Sequence, residues 1–147
     1  MNLLALDLGK RIGIAYTVGD KIQSCSIDVT SEYHALIMLE NYIVLTNPAA
    51  VFYEDAPFQP GWAGPFWHNQ RGILVALCQK HGRAYDGVNA MTLKKHTTGS
   101  GKATKLQVIA AVNARITGGY SVTDHNEADA LALLLYVMDN NIVEVGE

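Results

Sequence analysis

The sequence predicts an α/β fold in which helices flank a mixed five-stranded sheet. Short apolar runs near the start of the chain are separated by tight turn signals, which is typical of antiparallel strands. Later apolar runs alternate with segments of helical periodicity, which is typical of parallel strands joined by helices. The 147 residues, 49% of them hydrophobic, are enough for one compact domain spanning residues 1–147.

The first strand is a continuous apolar run that only Asp7 interrupts, and this pattern predicts a strand buried on both faces. Turn signals at Gly9-Lys10-Arg11 and Gly19-Asp20 separate it from the next two strands. A later apolar run closes on Glu54. In chain order, the predicted strands are Leu3 to Leu8, Ile12 to Val18, about Ile22 to Val29, Ala50 to Tyr53, and Ala84 to Val88.

The first predicted helix is capped by Thr30 or Ser31 and ends at Asn47-Pro48. The stretch 57–66, PFQPGWAGPF, predicts irregular structure because it is rich in proline and glycine. Gly82 is the expected stop of the second helix. The remaining predicted helices are Trp67 to His81, Lys105 to Arg115, and Glu127 to Met138, the last being almost wholly apolar and therefore buried.

Composition predicts a cytoplasmic protein. No apolar run approaches the ~20 residues that a membrane span needs. The opening MNLLALDLGK has an acid within its apolar stretch and no basic region before it, unlike a signal peptide. Cys25 and Cys78 lie outside any metal-ligand spacing and are expected to be reduced thiols.

Charge is unevenly distributed along the chain. The net charge is −3, yet the stretch from Gly87 to Thr123 contains no Asp or Glu. The basic residues of that stretch are Lys94, Lys95, Lys102, Lys105 and Arg115. A local basic face binds phosphates whatever the total charge is, although a solvated face that lacks acids has the same pattern.

Three carboxylates lie within or at the end of apolar runs, where the surrounding sequence gives no structural reason for a charge. Asp7 lies in the most apolar strand, Glu54 ends the apolar run AAVFY, and Asp129 lies within the apolar helix NEADALALLLYVM. Burying a carboxylate is costly unless it is paired, hydrogen-bonded or bound to metal. One such residue is explained by a strand end or an ion pair, whereas three in one small domain indicate a shared cation.

The other polar residues near the last helix separate into two groups. Asp124 and Glu127 have the spacing of a capping box, which explains both of them structurally. Position 127 also points about 200° away from position 129 around a helix. Asn126 and His125 lie three and four residues before Asp129 and share its face, so either is a candidate fourth ligand.

The basic segment KKHTTGSGK lacks the G-x-x-x-x-G-K-[ST] pattern of a phosphate-binding loop, so no nucleotide cofactor is expected. Its glycines and lysines Lys94, Lys95 and Lys102 suit a nucleic-acid backbone. Aromatic residues crowd the region after Glu54, and Phe58 and Trp67 are candidates for stacking on unpaired bases, the alternative being core packing.

These segments together resemble the RuvC family of Holliday-junction resolvases, within the retroviral-integrase and ribonuclease-H-like superfamily. LALDLGKRIGIAY is similar to that family's first strand and hairpin, and VFYEDAPF to its fourth strand. KKHTTGSGKATK matches the spacing of its two functional lysines, which fall here on Lys94 and Lys105. NEADALALLL is similar to its final helix, but Asn126 stands where the family usually has a carboxylate. The short chain and this difference suggest a divergent, phage-type member.

The resemblance implies a ribonuclease-H-like fold and a homodimeric endonuclease that resolves four-way DNA junctions. It implies that Asp7, Glu54 and Asp129, with Asn126 as the candidate fourth ligand, hold two Mg²⁺ per active site, for which Mn²⁺ can substitute. Lys105 is then expected to assist catalysis. The opening of the chain is also similar to RuvX/YqgF-type proteins, so a nuclease that acts on RNA or other branched substrates is one alternative. A non-catalytic DNA-binding module of the same fold is the other.

Overall fold

The computed structural model describes residues 1–55, 63–116 and 120–142, with residues 63–66 described by their backbone alone. A five-stranded sheet runs through the centre of the protein in the order β3-β2-β1-β4-β5. Antiparallel pairing joins β1, β2 and β3, and parallel pairing joins β1, β4 and β5. The strands are β1 (Leu3–Asp7), β2 (Arg11–Val18), β3 (Lys21–Asp28), β4 (Ala50–Asp55) and β5 (Ala84–Asn89). The predicted mixed sheet is therefore confirmed.

The helices cover both faces of the sheet. They are α1 (Glu32–Thr46), α2 (Ala63–Lys80), α3 (Ala90–Thr98), α4 (Lys105–Arg115) and α5 (His125–Asp139). Strand β1 shows how the two faces are divided, since Leu4 and Leu6, together with Leu8 just after the strand, pack with α1 and α2. Leu3 and Ala5 pack with the buried side chains of α3, α4 and α5. Alternation along a strand therefore directs the Asp7 side chain towards the face that α5 covers.

Helix α5 lies unusually close to the sheet at one point. Gly13 on β2 pairs with Asp7 on β1, and a Cβ atom at position 13 would collide with the backbone carbonyl of Asn126. The absence of a side chain at Gly13 allows the first turn of α5 to rest directly on β2. This close approach brings Asp129, one turn further along α5, to the end of β1.

The structure corrects the start of one predicted helix and adds a helix that was not predicted. The stretch 57–66 was expected to be irregular, but α2 begins at Ala63 instead of Trp67. Pro65 is compatible with this early start because the N–H groups of a first helical turn have no partner within the helix. Helix α3 was not predicted, and both Lys94 and Lys95 lie within it. Asn89 caps it by accepting a hydrogen bond from the backbone N–H of Met91 at 2.8 Å.

Several other local predictions are confirmed. Ser31 caps α1 by accepting from His34 N at 3.0 Å, and α1 ends at Asn47 in the left-handed conformation. Gly82, with a φ of +64°, follows the end of α2. Both cysteines are free thiols. Within the described residues, no helix is long and apolar enough to cross a bilayer.

Candidate metal centre

Three carboxylates meet at one edge of the sheet. Strands β1 and β4 are parallel neighbours paired at Leu6 and Tyr53, so the next residues, Asp7 and Glu54, lie side by side where the strands end. Parallel strands present their carboxyl ends at the same edge, and strand alternation turns both side chains to the α5 face. Asp129 reaches the same place from α5. One carboxylate oxygen from each residue lies within 4.8 Å of the others.

Mutual repulsion and burial perturb all three acids. Burial raises the pKa of Asp7 well above its ordinary value, and the charges of Glu54 and Asp129 raise it further. Burial also raises the pKa of Glu54, against the opposing effects of a hydrogen bond with Asp7 and the charge of Lys94. The same hydrogen bond raises the pKa of Asp7 and lowers the pKa of Glu54.

Asp129 is perturbed in the same direction. Burial and the neighbouring Glu54 raise its pKa to about 7, although the ammonium groups of Lys94 and Lys105 act to lower it. Burial therefore disfavours the charged forms of all three acids, and a bound cation would favour them. Carboxylate oxygens are the hard ligands that Mg²⁺ and Mn²⁺ prefer, so the donor set fits a divalent ion.

The predicted lysines lie at different distances from the acids. Lys94 is partly buried and lines a small pocket with Glu54 and Asp129. Lys105 is exposed at the start of α4, with its Nζ atom 3.5 Å from Nε2 of His125. Lys95 and Lys102 are exposed to solvent. Helix α3 holds Lys94 beside the carboxylates, and the expected contact of these lysines with a nucleic-acid backbone stays a prediction.

The capping prediction for α5 is half right. Asp124 accepts a hydrogen bond from the backbone N–H of Glu127 at 3.0 Å and therefore caps the helix. The Glu127 carboxylate does not complete the box, because it accepts a hydrogen bond from Ser24 Oγ at 2.7 Å. Asp124 also lies 3.5 Å from Nε of Arg11. As expected from the helical angle, Glu127 takes no part in the acidic cluster.

The fourth ligand position has two candidates on the first turn of α5. Among the described Asp, Glu, His and Cys residues, the cluster comprises only the three carboxylates, so His125 does not join it. Its ring faces Lys105 instead. Asn126 is partly exposed one turn before Asp129, and its role as a ligand stays a prediction.

The aromatic candidates for base stacking are only partly described. Phe58 lies outside the described residues. Trp67 packs against the core on the α1 and α2 face of the sheet, opposite the face of the acids, and its ring makes an edge contact with His68 at 5.0 Å. A DNA contact by either residue stays a prediction.

Sequence reasoning missed a residue that orders the end of β1. Gln70 on α2 is 1% exposed, and its amide exchanges two hydrogen bonds of 2.8 Å with the backbone of Gly9. This clamp holds the chain two residues after Asp7. The only signal in the sequence was a neutral amide on the apolar side of a helix, which is too common to indicate a role.

A second missed feature joins three helices. On α5, Asp139 accepts two hydrogen bonds from Arg115 of α4, at 2.6 and 3.1 Å. It also lies 3.0 Å from Nε2 of His96 on α3. Because α3 carries Lys94, this network helps to fix the helix that lies over the carboxylates.

Neither a protein-family model nor a curated protein matches the sequence. Solved structures do match its fold. The RuvC structure from Thermus thermophilus is similar with a TM-score of 0.77 at 17% identity, over 96% of this chain and 97% of that one. T. thermophilus RuvC in complex with a Holliday junction substrate gives a TM-score of 0.81 at 17% identity, over 96% and 94%. The yeast mitochondrial Holliday junction resolvase Ydc2 gives 0.60 at 10% identity, over 99% and 86%. The predicted ribonuclease-H-like fold is therefore confirmed.

Proposed function

We propose that this protein is a metal-dependent endonuclease that resolves four-way DNA junctions. The observation that carries the proposal is the convergence of Asp7, Glu54 and Asp129 within 4.8 Å, largely buried, at the edge of the sheet where parallel strands end. A purely structural cluster would be expected to include a paired cation. Here Lys94 contributes charge from the rim of the pocket and forms no ion pair with the acids.

The three carboxylates would hold two divalent ions, and Asn126 would supply a neutral oxygen to one of them. Bound Mg²⁺ or Mn²⁺ would activate a water molecule and stabilise the departing 3′ oxygen, which leaves a 5′-phosphate and a 3′-hydroxyl. The protein's own contribution is positional. Asp7 is held by the strand and by the Gln70 clamp on Gly9.

The lysines would bind and neutralise the phosphate backbone. Lys94 and Lys105 lie close enough to lower the pKa of Asp129, so their ammonium groups also lie close to any phosphate that reaches the acids. Lys95 and Lys102 are exposed and free to contact phosphates further along the strand. This distribution supports a role for Lys94 and Lys105 at the reacting phosphate.

The comparisons support the choice of substrate. One similar structure is a complex of T. thermophilus RuvC with a Holliday junction substrate, and another is named a Holliday junction resolvase. Each match covers nearly the whole of this chain. Resolving a four-way junction takes two cuts placed symmetrically, and the described residues of one chain form one such acidic cluster. The active species would then be a homodimer.

The proposal is tested by incubating the protein with a four-way junction, a flap, a linear duplex and an RNA/DNA hybrid, in Mg²⁺, in Mn²⁺ and in EDTA. We expect paired cuts in the junction, dependent on a divalent ion. Asp7→Asn should abolish cutting, whereas the matched control Glu127→Gln, an acid on the same helix as Asp129 but outside the cluster, should retain it.

Each alternative has its own outcome in this assay. Preferential cutting of RNA-containing substrates would point to the RuvX/YqgF-like alternative. Binding to the junction with no cutting in either metal would favour a non-catalytic DNA-binding module, for which the uncharged Asn126 is the supporting observation. Full cleavage in EDTA would refute the metal site.

A further inference from the structure

Two large apolar side chains are exposed on the basic side of the protein. Met91, in the first turn of α3, is 65% exposed, and Leu106, in the first turn of α4, is 78% exposed. Neither belongs to the core on the corresponding face of the sheet. Both occupy the stretch from 87 to 123, which contains no acid.

Both residues lie at the edge of the sheet that carries the acids. Strand β5 runs parallel to β4 and pairs with it at Glu54 and Val88, so α3 begins beside the acidic cluster. The start of α4 lies at the same edge, because Lys105 reaches His125 in the first turn of α5. The first turns of α3, α4 and α5 therefore surround the carboxylates.

Lysines flank both apolar residues. Lys94 follows Met91 by one helical turn, and Met91 also packs beside Gly101, the neighbour of Lys102. Leu106 directly follows Lys105. The face around the acids thus presents cations with apolar side chains between them. The cations can bind phosphates, whereas the apolar side chains need an apolar surface on the partner.

We propose that Met91 and Leu106 contact unstacked bases where the DNA branches, while the lysines hold the adjacent phosphates. In a continuous duplex the base faces are stacked on one another and offer no apolar surface to a side chain. At an open base step, Leu and Met side chains are able to pack against a base or act as a wedge. The two residues would accordingly select branched DNA over duplex DNA, an inference that rests on the proposed function.

Binding is measured by fluorescence anisotropy in EDTA, where no cutting takes place, with a labelled four-way junction and a linear duplex of the same arm sequence. The variants are Met91→Ala and Leu106→Ala, which keep the helices intact because alanine favours helix. The control is Leu45→Ala. Leu45 is 80% exposed at the end of α1, next to the opposite edge of the sheet where Ala49 bonds to Asn2.

We expect each of the two test variants to weaken junction binding by about tenfold and duplex binding by less than about twofold. The slope of affinity against salt concentration should not change, because no phosphate contact is lost. Leu45→Ala should bind like the wild type. Wild-type junction affinity in both variants, or an equal loss on junction and duplex, would overturn the inference.

Failure of the proposed function is visible in a separate experiment. If the wild-type protein cuts none of the substrates in Mg²⁺ or Mn²⁺, the nuclease assignment fails whatever the two variants do. If the wild type cuts the junction and the variants bind it normally, the nuclease assignment stands and the contact with unstacked bases is refuted.

Discussion

Replacing Asp129 with asparagine is expected to stabilise the metal-free protein and to abolish its response to metal. Asp129 is largely buried beside Glu54, and burial together with that neighbour raises its pKa from 3.8 to about 7. Asparagine has nearly the same shape and no charge. Asp129→Asn therefore removes the electrostatic cost of the buried charge while leaving the packing of α5 almost unchanged.

The size and sign of the effect follow from the difference between the folded and unfolded pKa values. Below about pH 3.8 the carboxyl is protonated in both states, and the wild type carries no penalty. As the pH rises towards 7, the unfolded chain releases its proton while the folded protein retains it, so stability falls. A shift of about 3 pKa units corresponds to about 4 kcal/mol, which is an upper limit since the three acids titrate together.

The assay is thermal unfolding in EDTA between pH 4 and pH 8. At pH 8 we expect Asp129→Asn to be about 2 to 4 kcal/mol more stable than the wild type, a rise of about 5 to 15 °C in Tm. At pH 4 the two proteins should unfold at nearly the same temperature. Adding Mg²⁺ at pH 8 should stabilise the wild type and leave the variant almost unchanged.

Asp20→Asn is the matched control, since Asp20 is exposed in the turn between β2 and β3, at the opposite end of β2 from Gly13. This variant should follow the wild type at every pH and keep its response to Mg²⁺. The reasoning is refuted if Asp129→Asn gains no stability at pH 8 in EDTA, or if it responds to Mg²⁺ as strongly as the wild type.

Three other predictions address neighbouring features. Gly13→Ala should destabilise the protein by about 3 kcal/mol or more in urea unfolding, because the new methyl group collides with the Asn126 carbonyl. Gly72→Ala, at an open and exposed helical position, should instead stabilise it by up to about 1 kcal/mol. Lys94→Ala should shift the rising limb of the pH–rate profile to higher pH, because Lys94 lowers the pKa of Glu54 and of Asp129. Lys95→Ala should leave that profile unchanged and reduce the slope of log affinity against log salt concentration by about 1. Asn126→Asp should lower the Mg²⁺ concentration needed for half-maximal cutting, and an unchanged concentration would exclude Asn126 as a ligand.

Much of the fold could be predicted because local signals and packing agree. Alternation along β1 places Leu3 and Ala5 on the face of Asp7, and the two core clusters follow that division. The predicted boundaries of α4 at Lys105 and Arg115 are confirmed, and the structure shows that a capping box of Thr104 and Gln107 fixes where the helix begins. Where a segment carried a misleading local signal, as at Pro65 in α2, the prediction was wrong.

The carboxylates of the candidate site could be identified from the sequence for a different reason. An acid within an apolar run is energetically unfavourable unless it is paired or binds a cation. Asp7 and Asp129 each lie in such a run, so each was identifiable from its own segment. Their meeting with Glu54 also follows from topology, since adjacent parallel strands end at one edge. By contrast, helix α3 has a polar sequence with glycines directly after it, and its helical state depends on the Asn89 cap and on packing of Leu93 into the core.

The sequence by itself determined the mixed sheet, the order of most elements and the three acids, because alternation, turn residues and misplaced charges are all local properties. Only the tertiary structure decided the distances between groups that are far apart in the chain. It brought Lys94 beside the acids, turned Glu127 towards Ser24, and used the missing side chain of Gly13 to let α5 rest on β2. These outcomes depend on how closely the helices pack on the sheet. That packing distance is set by contacts between distant parts of the chain, so it cannot be predicted from a short stretch of sequence.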